Sequence, residues 1–164
     1  MNIIFLDIDG VLNCEDDFGP NKENPHFGHR RGIAYTKLLL LKKIVLETSS
    51  KLVLVSSWKV RYEKYLKNHE DEVGAYLFNK LKEVDLSIHD TTLKYDLSNG
   101  KDRGLEITSY LIDHKKEVSN WIILEDEEYP DYERYDMLSH LIKTDMQHGL
   151  TEDIVAKAVT ALNK

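Results

Sequence analysis

Two aspartates spaced two apart, Asp7 and Asp9, end the apolar run NIIFL and precede Gly10 in the stretch FLDIDGV. In an extended chain residues i and i+2 share a face, so these carboxylates converge while Ile8 faces away. Gly10 lets the chain turn sharply and approach a ligand closely. Paired charges at the end of a buried strand are costly to desolvate, and such a local conflict marks a functional site. Two further apolar runs end in the same manner: KLVLVSS delivers Ser56 and Ser57, and NWIIL runs into Glu125 and Asp126. Carboxylates brought together repel one another unless a cation sits among them. Hard oxygen donors with few nitrogens or sulfurs favour magnesium over zinc. Magnesium held there would in turn hold a phosphate.

The elements that position these residues follow from periodicity. Residues 2–6, 51–57 and 120–124 are short apolar runs, the pattern of strands buried on both faces. A third strand is expected over 84–88 and a fifth over 139–143. Helical spacing covers 33–48, 59–68, 71–82 and 103–116. Thr151, followed by Glu152 and Asp153, caps a final helix running to residue 162. Residues 13–32 and 90–101 are rich in turn formers and read as loops. Strands alternating with helices predict an α/β fold, a three-layer α/β/α sandwich around a mainly parallel five-stranded sheet. The ligand crevice of such a sheet lies beyond the carboxyl ends of its strands, where the three pairs of polar residues stand.

The totals restrict the function classes. The chain has 164 residues, 41% hydrophobic and 31% charged, the balance of one soluble globular domain. No apolar run approaches the roughly 20 residues of a membrane-spanning helix. Asp7 and Asp9 interrupt any signal-peptide core, so a cytoplasmic location is expected. The single cysteine, Cys14, excludes an internal disulfide and a multi-cysteine metal site. A net charge of -7 disfavours extended duplex binding, which needs many neutralised phosphates. It leaves room for one phosphate held locally, on a small molecule or a nucleic-acid end.

In these four motifs the chain resembles the haloacid dehalogenase-like (HAD) phosphohydrolases: FLDIDGV, the strand LVLVSS, a cation in KDRGLEI, and WIILEDEEYPD. FLDIDGVLN, VSSW, RGLEI, ILED and IKTDMQHGLT look most like the capless HAD domain of Swiss Army Knife RNA-repair proteins. The resemblance implies a Rossmannoid sheet without a large cap, one domain over 1–164 with a small flap at about 13–32. It implies a Mg²⁺-dependent phosphomonoesterase working through an aspartyl-phosphate. Asp7 would be the nucleophile and Asp9 the general acid and base. Asp7, the Asp9 backbone carbonyl and Asp126 would hold magnesium. Ser56 and a basic side chain, Arg103 or alternatively Lys101, would hold phosphoryl oxygens. Phosphotransfer to another acceptor, or a non-catalytic phosphate- or metal-binding module, are the alternatives.

Other residues have two readings. Gly10, Ser57, Arg30 and Arg31 are candidate substrate contacts, the arginines together with His26 and His29 on a loop that is equally explained as basic and exposed. His89 is ambiguous in the same way. Trp58 either stacks on a base or packs in the core. Glu125 replaces the family's usual Asp, Asp131 is a candidate outer acid, and Cys14 is expected to be inert.

Overall fold

The computed structural model describes residues 1–17, 26–27, 30–93 and 102–164. Its sheet has five strands: β1 (Asn2–Leu6), β4 (Lys51–Leu54), β5 (Ile88–Thr91), β6 (Asn120–Glu125) and β7 (Leu141–Lys143). They lie in the order β5-β4-β1-β6-β7, and every pairing is parallel. A separate antiparallel pair joins β2 (His26–Phe27) to β3 (Arg30–Arg31). Helices α1 (Tyr35–Thr48), α2 (Lys59–Asn68), α3 (Glu72–Lys82), α4 (Arg103–Asp113) and α5 (Glu152–Leu162) complete the architecture. It is α/β, as expected, with no large cap among the described residues. None of the described helices is long and apolar enough to cross a membrane.

The unbroken apolar sequence of β1 has a direct cause. Successive side chains point to opposite faces, and both faces are covered. Ile4 and Leu6 enter a core with Leu38, Leu41 and Ile44 of α1, Leu77 of α3 and Val155 of α5. Ile3 and Phe5 enter a second core with Ile107 and Tyr110 of α4, and with Tyr132 and Met137. The Phe5 ring meets Tyr110 edge-on at 5.5 Å and Trp121 at 5.8 Å. Three layers follow.

Most expected elements fall within a few residues of their places. The third strand does not: it is Ile88–Thr91 rather than 84–88. Val84 and Leu86 are buried, but they close α3. The Val84 and Leu86 amides both donate to the Leu81 carbonyl, and Asp85 takes a left-handed φ of 57°. Apolar helix-end residues look like a strand to a period-based reading. The fifth strand is likewise shortened, because Leu138–His140 form a 3-10 turn before β7. Strand β4 is assigned to Leu54, although the Val55 amide still donates to the Leu6 carbonyl.

The segment after β1 is pinned at its start. Glu15–Asp17 form a 3-10 turn whose amides at Glu15 and Asp16 donate to the carbonyls of Met146 and Gln147. Cys14 is fully buried, and its thiol donates to Asp17. Burial, then that contact, pushes the thiol up to about 11, so Cys14 is inert at neutral pH.

Candidate active site

The sheet reverses its winding at β1, with β4 on one side and β6 on the other. Beyond the carboxyl ends of these strands lies the ligand crevice of an open α/β sheet. Asp7 continues β1, its amide donating to the Leu124 carbonyl of β6 at 3.0 Å. Asp7, Glu125 and Asp126 each bring a carboxylate oxygen into one group whose members all lie within 4.8 Å of one another. Asp7 and Glu125 are buried, Asp126 half-buried.

Gly10 explains how Asp126 fits. Its φ is +69°, and a Cβ there would lie 2.4 Å from the Asp126 carboxyl carbon. The glycine is thus required for the approach of the β6 acid to the β1 turn. The Thr144 hydroxyl, from the segment after β7, holds the Gly10 carbonyl at 2.7 Å.

Opposite the acids stands Arg103, the first residue of α4 and 8% exposed. Its Nη2 lies 3.8 Å from both Asp7 Oδ1 and Glu125 Oε2 and donates to the Tyr129 hydroxyl at 3.0 Å. The guanidinium also sits over the Tyr129 ring at 4.8 Å. Burial works against its charge, but Asp7 and Glu125 outweigh burial and hold it protonated. Asp131, the candidate outer acid, meets the start of the same helix. It receives the Gly104 and Leu105 amides, each at 3.0 Å, and so caps α4 from 27 and 26 residues away. Lys101 lies outside the described residues.

Ser56 is fully buried just beyond the end of β4, where its Oγ accepts the Trp58 amide at 3.4 Å and its side chain lowers the Asp7 carboxyl. Ser57 is exposed at the rim. The Asp9 carboxylate, which is not part of the three-acid group, accepts from Trp58 Nε1 at 3.0 Å and from Asn13 Nδ2 at 2.8 Å. Trp58 is 5% exposed, so its packed reading holds, with its N–H engaged by Asp9 rather than idle. Lys59, also buried, donates to Glu106 at 2.7 Å and Thr92 at 2.9 Å, tying the start of α2 to α4. Backbone pairing places Arg30 and Arg31 in β3. His89 is exposed in β5, and His29 lies outside the described residues.

Sequence reasoning missed Asn13, Trp58 as a donor, Tyr129, Lys59 and Thr144. Only Trp58 carried a signal, since a buried indole N–H needs an acceptor. The rest depend on tertiary packing.

Electrostatics show what the acids need. Burial pushes the Asp7 carboxyl up to about 6, while Arg103 and Ser56 pull it back. Burial, then Asp7, pushes Glu125 up to about 9. Burial also raises Asp126. Among the described residues, Glu125 Oε2 and Arg103 Nη1 are buried without a hydrogen-bond partner. Three crowded hard-oxygen donors of this kind could hold a metal ion.

A doubly wound parallel sheet with acids converging from β1 and β6 defines a HAD-like domain. The model of the HAD domain in Swiss Army Knife RNA repair proteins matches residues 3–155, and the chain belongs to this family. No curated protein and no solved structure matches the chain.

Proposed function

We propose that the protein is a Mg²⁺-dependent phosphomonoesterase acting through an aspartyl-phosphate on Asp7. The observation carrying this reading is the convergence of Asp7, Glu125 and Asp126 within 4.8 Å, with Arg103 against Asp7. Asp7 attacks the phosphorus and the ester P–O bond breaks. Asp9 protonates the leaving oxygen, then takes a proton from the water that hydrolyses the acyl phosphate. Ser56 and Arg103 Nη1, which has no hydrogen-bond partner among the described residues, hold phosphoryl oxygens. Asp7 and Asp126 would hold magnesium, with the Asp9 backbone carbonyl, as the family resemblance implies, and Glu125 beside them. When bound, the ion neutralises charge on the transferring phosphoryl group.

The substrate we favour is the phosphorylated end of an RNA chain, in keeping with the family's description. A crevice without a large cap admits a polymer end. The exposed Glu127 and Glu128 at its rim oppose contact with a long phosphate backbone. Recognition would then be of the terminal phosphate.

Hydrolysis of p-nitrophenyl phosphate and of phosphorylated RNA and DNA ends, with Mg²⁺, tests the proposal. Asp7→Asn should abolish turnover. Asp9→Asn should cost orders of magnitude while sparing Mg²⁺ affinity measured by calorimetry. Absence of phosphate release from every substrate would favour a binding module instead. Phosphate appearing on an added alcohol would favour phosphotransfer.

A further inference from the structure

We propose that Tyr129 is a positioning residue that holds Arg103 back from Asp7 and so keeps the attacking carboxylate open, an inference resting on Asp7 as nucleophile. A buried guanidinium beside two carboxylates is expected to close on one of them, since charge-assisted N–H···O bonds settle at about 2.7–2.9 Å. Arg103 Nη2 does not. It stands 3.8 Å from Asp7 Oδ1 and 3.8 Å from Glu125 Oε2, and it donates instead to the neutral Tyr129 hydroxyl at 3.0 Å. The guanidinium carbon also sits 4.8 Å from the centre of the Tyr129 ring. A cation over an aromatic face is attracted by the ring quadrupole. Hydroxyl and ring together retain a cation that two acids attract.

Tyr129 is itself fixed in place. Its carbonyl accepts the Tyr132 amide at 3.0 Å, and its ring lies 5.5 Å from that of the fully buried Tyr132. Asp131, in the same turn, takes the Gly104 and Leu105 amides. One turn therefore grips both the backbone at the start of α4 and the side chain of the helix's first residue. The spacing bears on the reaction because Asp7 must offer an oxygen lone pair to phosphorus. A direct bond from the guanidinium would engage that electron density, whereas at 3.8 Å the positive charge is near and Asp7 carries no such bond. A role in packing alone predicts that Arg103 stays where it is once the hydroxyl is removed. A restraint predicts that it turns onto Asp7.

The test compares wild type with Tyr129→Phe, which loses the hydroxyl and keeps the ring. Crystal structures of the two full chains read the restraint directly. The distance from Arg103 Nη2 to Asp7 should shorten from 3.8 Å in wild type to about 2.7–2.9 Å in the variant. An arginine that stays put, or that closes on Glu125 alone, overturns the inference. The second reading is kcat/KM for p-nitrophenyl phosphate with Mg²⁺, with Arg103→Ala and the double variant completing a cycle. A hydrogen bond to a charged group is worth about tenfold or more, so Tyr129→Phe should lower kcat/KM by at least that where Arg103 is present. Where Arg103 is already replaced by alanine, it should change kcat/KM by less than about twofold, because a residue acting through another is not additive with it. Equal losses in both backgrounds also overturn the inference. Should Arg103→Ala turn over too slowly to measure, the distance decides; should Tyr129→Phe fail to fold by its thermal melt, Tyr129→Leu takes its place. A wild type inactive on every ester refutes the hydrolase reading beneath, while the distance still decides whether Tyr129 restrains the arginine.

Discussion

Gly10 shows how one residue can set the geometry of this site. Any side chain there meets two penalties: a left-handed backbone at φ +69° and the Asp126 carboxyl 2.4 Å away. Strain of this kind costs about 1–3 kcal/mol. Gly10→Ala should therefore lower stability by that amount in a denaturant melt. It should also weaken Mg²⁺ binding about tenfold or more in calorimetry, because Asp126 must move. An unaltered Mg²⁺ affinity would mean that Asp126 is not a ligand. Arg103 carries a comparable constraint, because one guanidinium faces Asp7, Glu125 and the Tyr129 ring together. A lysine ammonium lacks the planar fork to do so.

The helices bring their own demands to the crevice. Helix α4 starts at the cation, yet Asp102 at its N-terminal boundary makes no side-chain cap, and Asp131 supplies one from a distant loop. Asp131→Ala should cost about 1 kcal/mol and lower kcat through Arg103; full activity with full stability would dismiss the cap. The Lys59–Glu106 pair joins α2 to α4 in a buried setting. Breaking one side leaves a buried charge, a loss of about 3–5 kcal/mol. Lys59→Met should show it in a chemical melt, and Lys59→Met with Glu106→Leu should recover much of it. Helix α3 gives a pH dependence. Burial raises the Asp71 carboxyl, but the Gly74 amide, Arg61 and the Val73 amide outweigh burial and hold it below the usual carboxylate range. With the native value depressed, Asp71 contributes stability above its unfolded pKa and loses it as pH falls through the native one. The stability gap between wild type and Asp71→Asn, present at neutral pH, should close in acid. A gap constant with pH would exclude this linkage.

Across the whole molecule, the two cores on either side of the sheet hold the acids close in spite of their mutual repulsion. A cation that binds only the folded state adds stability by mass action, about 2.7 kcal/mol at a hundredfold excess over Kd. For a domain of this size each kcal/mol moves Tm by about 2–4 °C. Saturating Mg²⁺ should accordingly raise Tm by roughly 5–10 °C, and Asp126→Asn should remove most of the rise. An equal rise in both proteins would place the ion elsewhere.

Much of this was legible in the chain because burial on both faces of a parallel sheet leaves an unmistakable apolar run, and the acids of β1 and β6 interrupt those runs at their carboxyl ends. Strand β5 was displaced because Val84 and Leu86 are apolar for the sake of closing α3. By itself, the order of residues determined the α/β class, the sheet-edge position of Asp7, Ser56 and Asp126, and the family. Only the tertiary structure decided that Glu125 joins the acids, that Asp131 caps a helix, and that Trp58 and Asn13 grip Asp9. These contacts join segments whose separation in sequence carries no periodic signal, so they exist only once the two cores have packed.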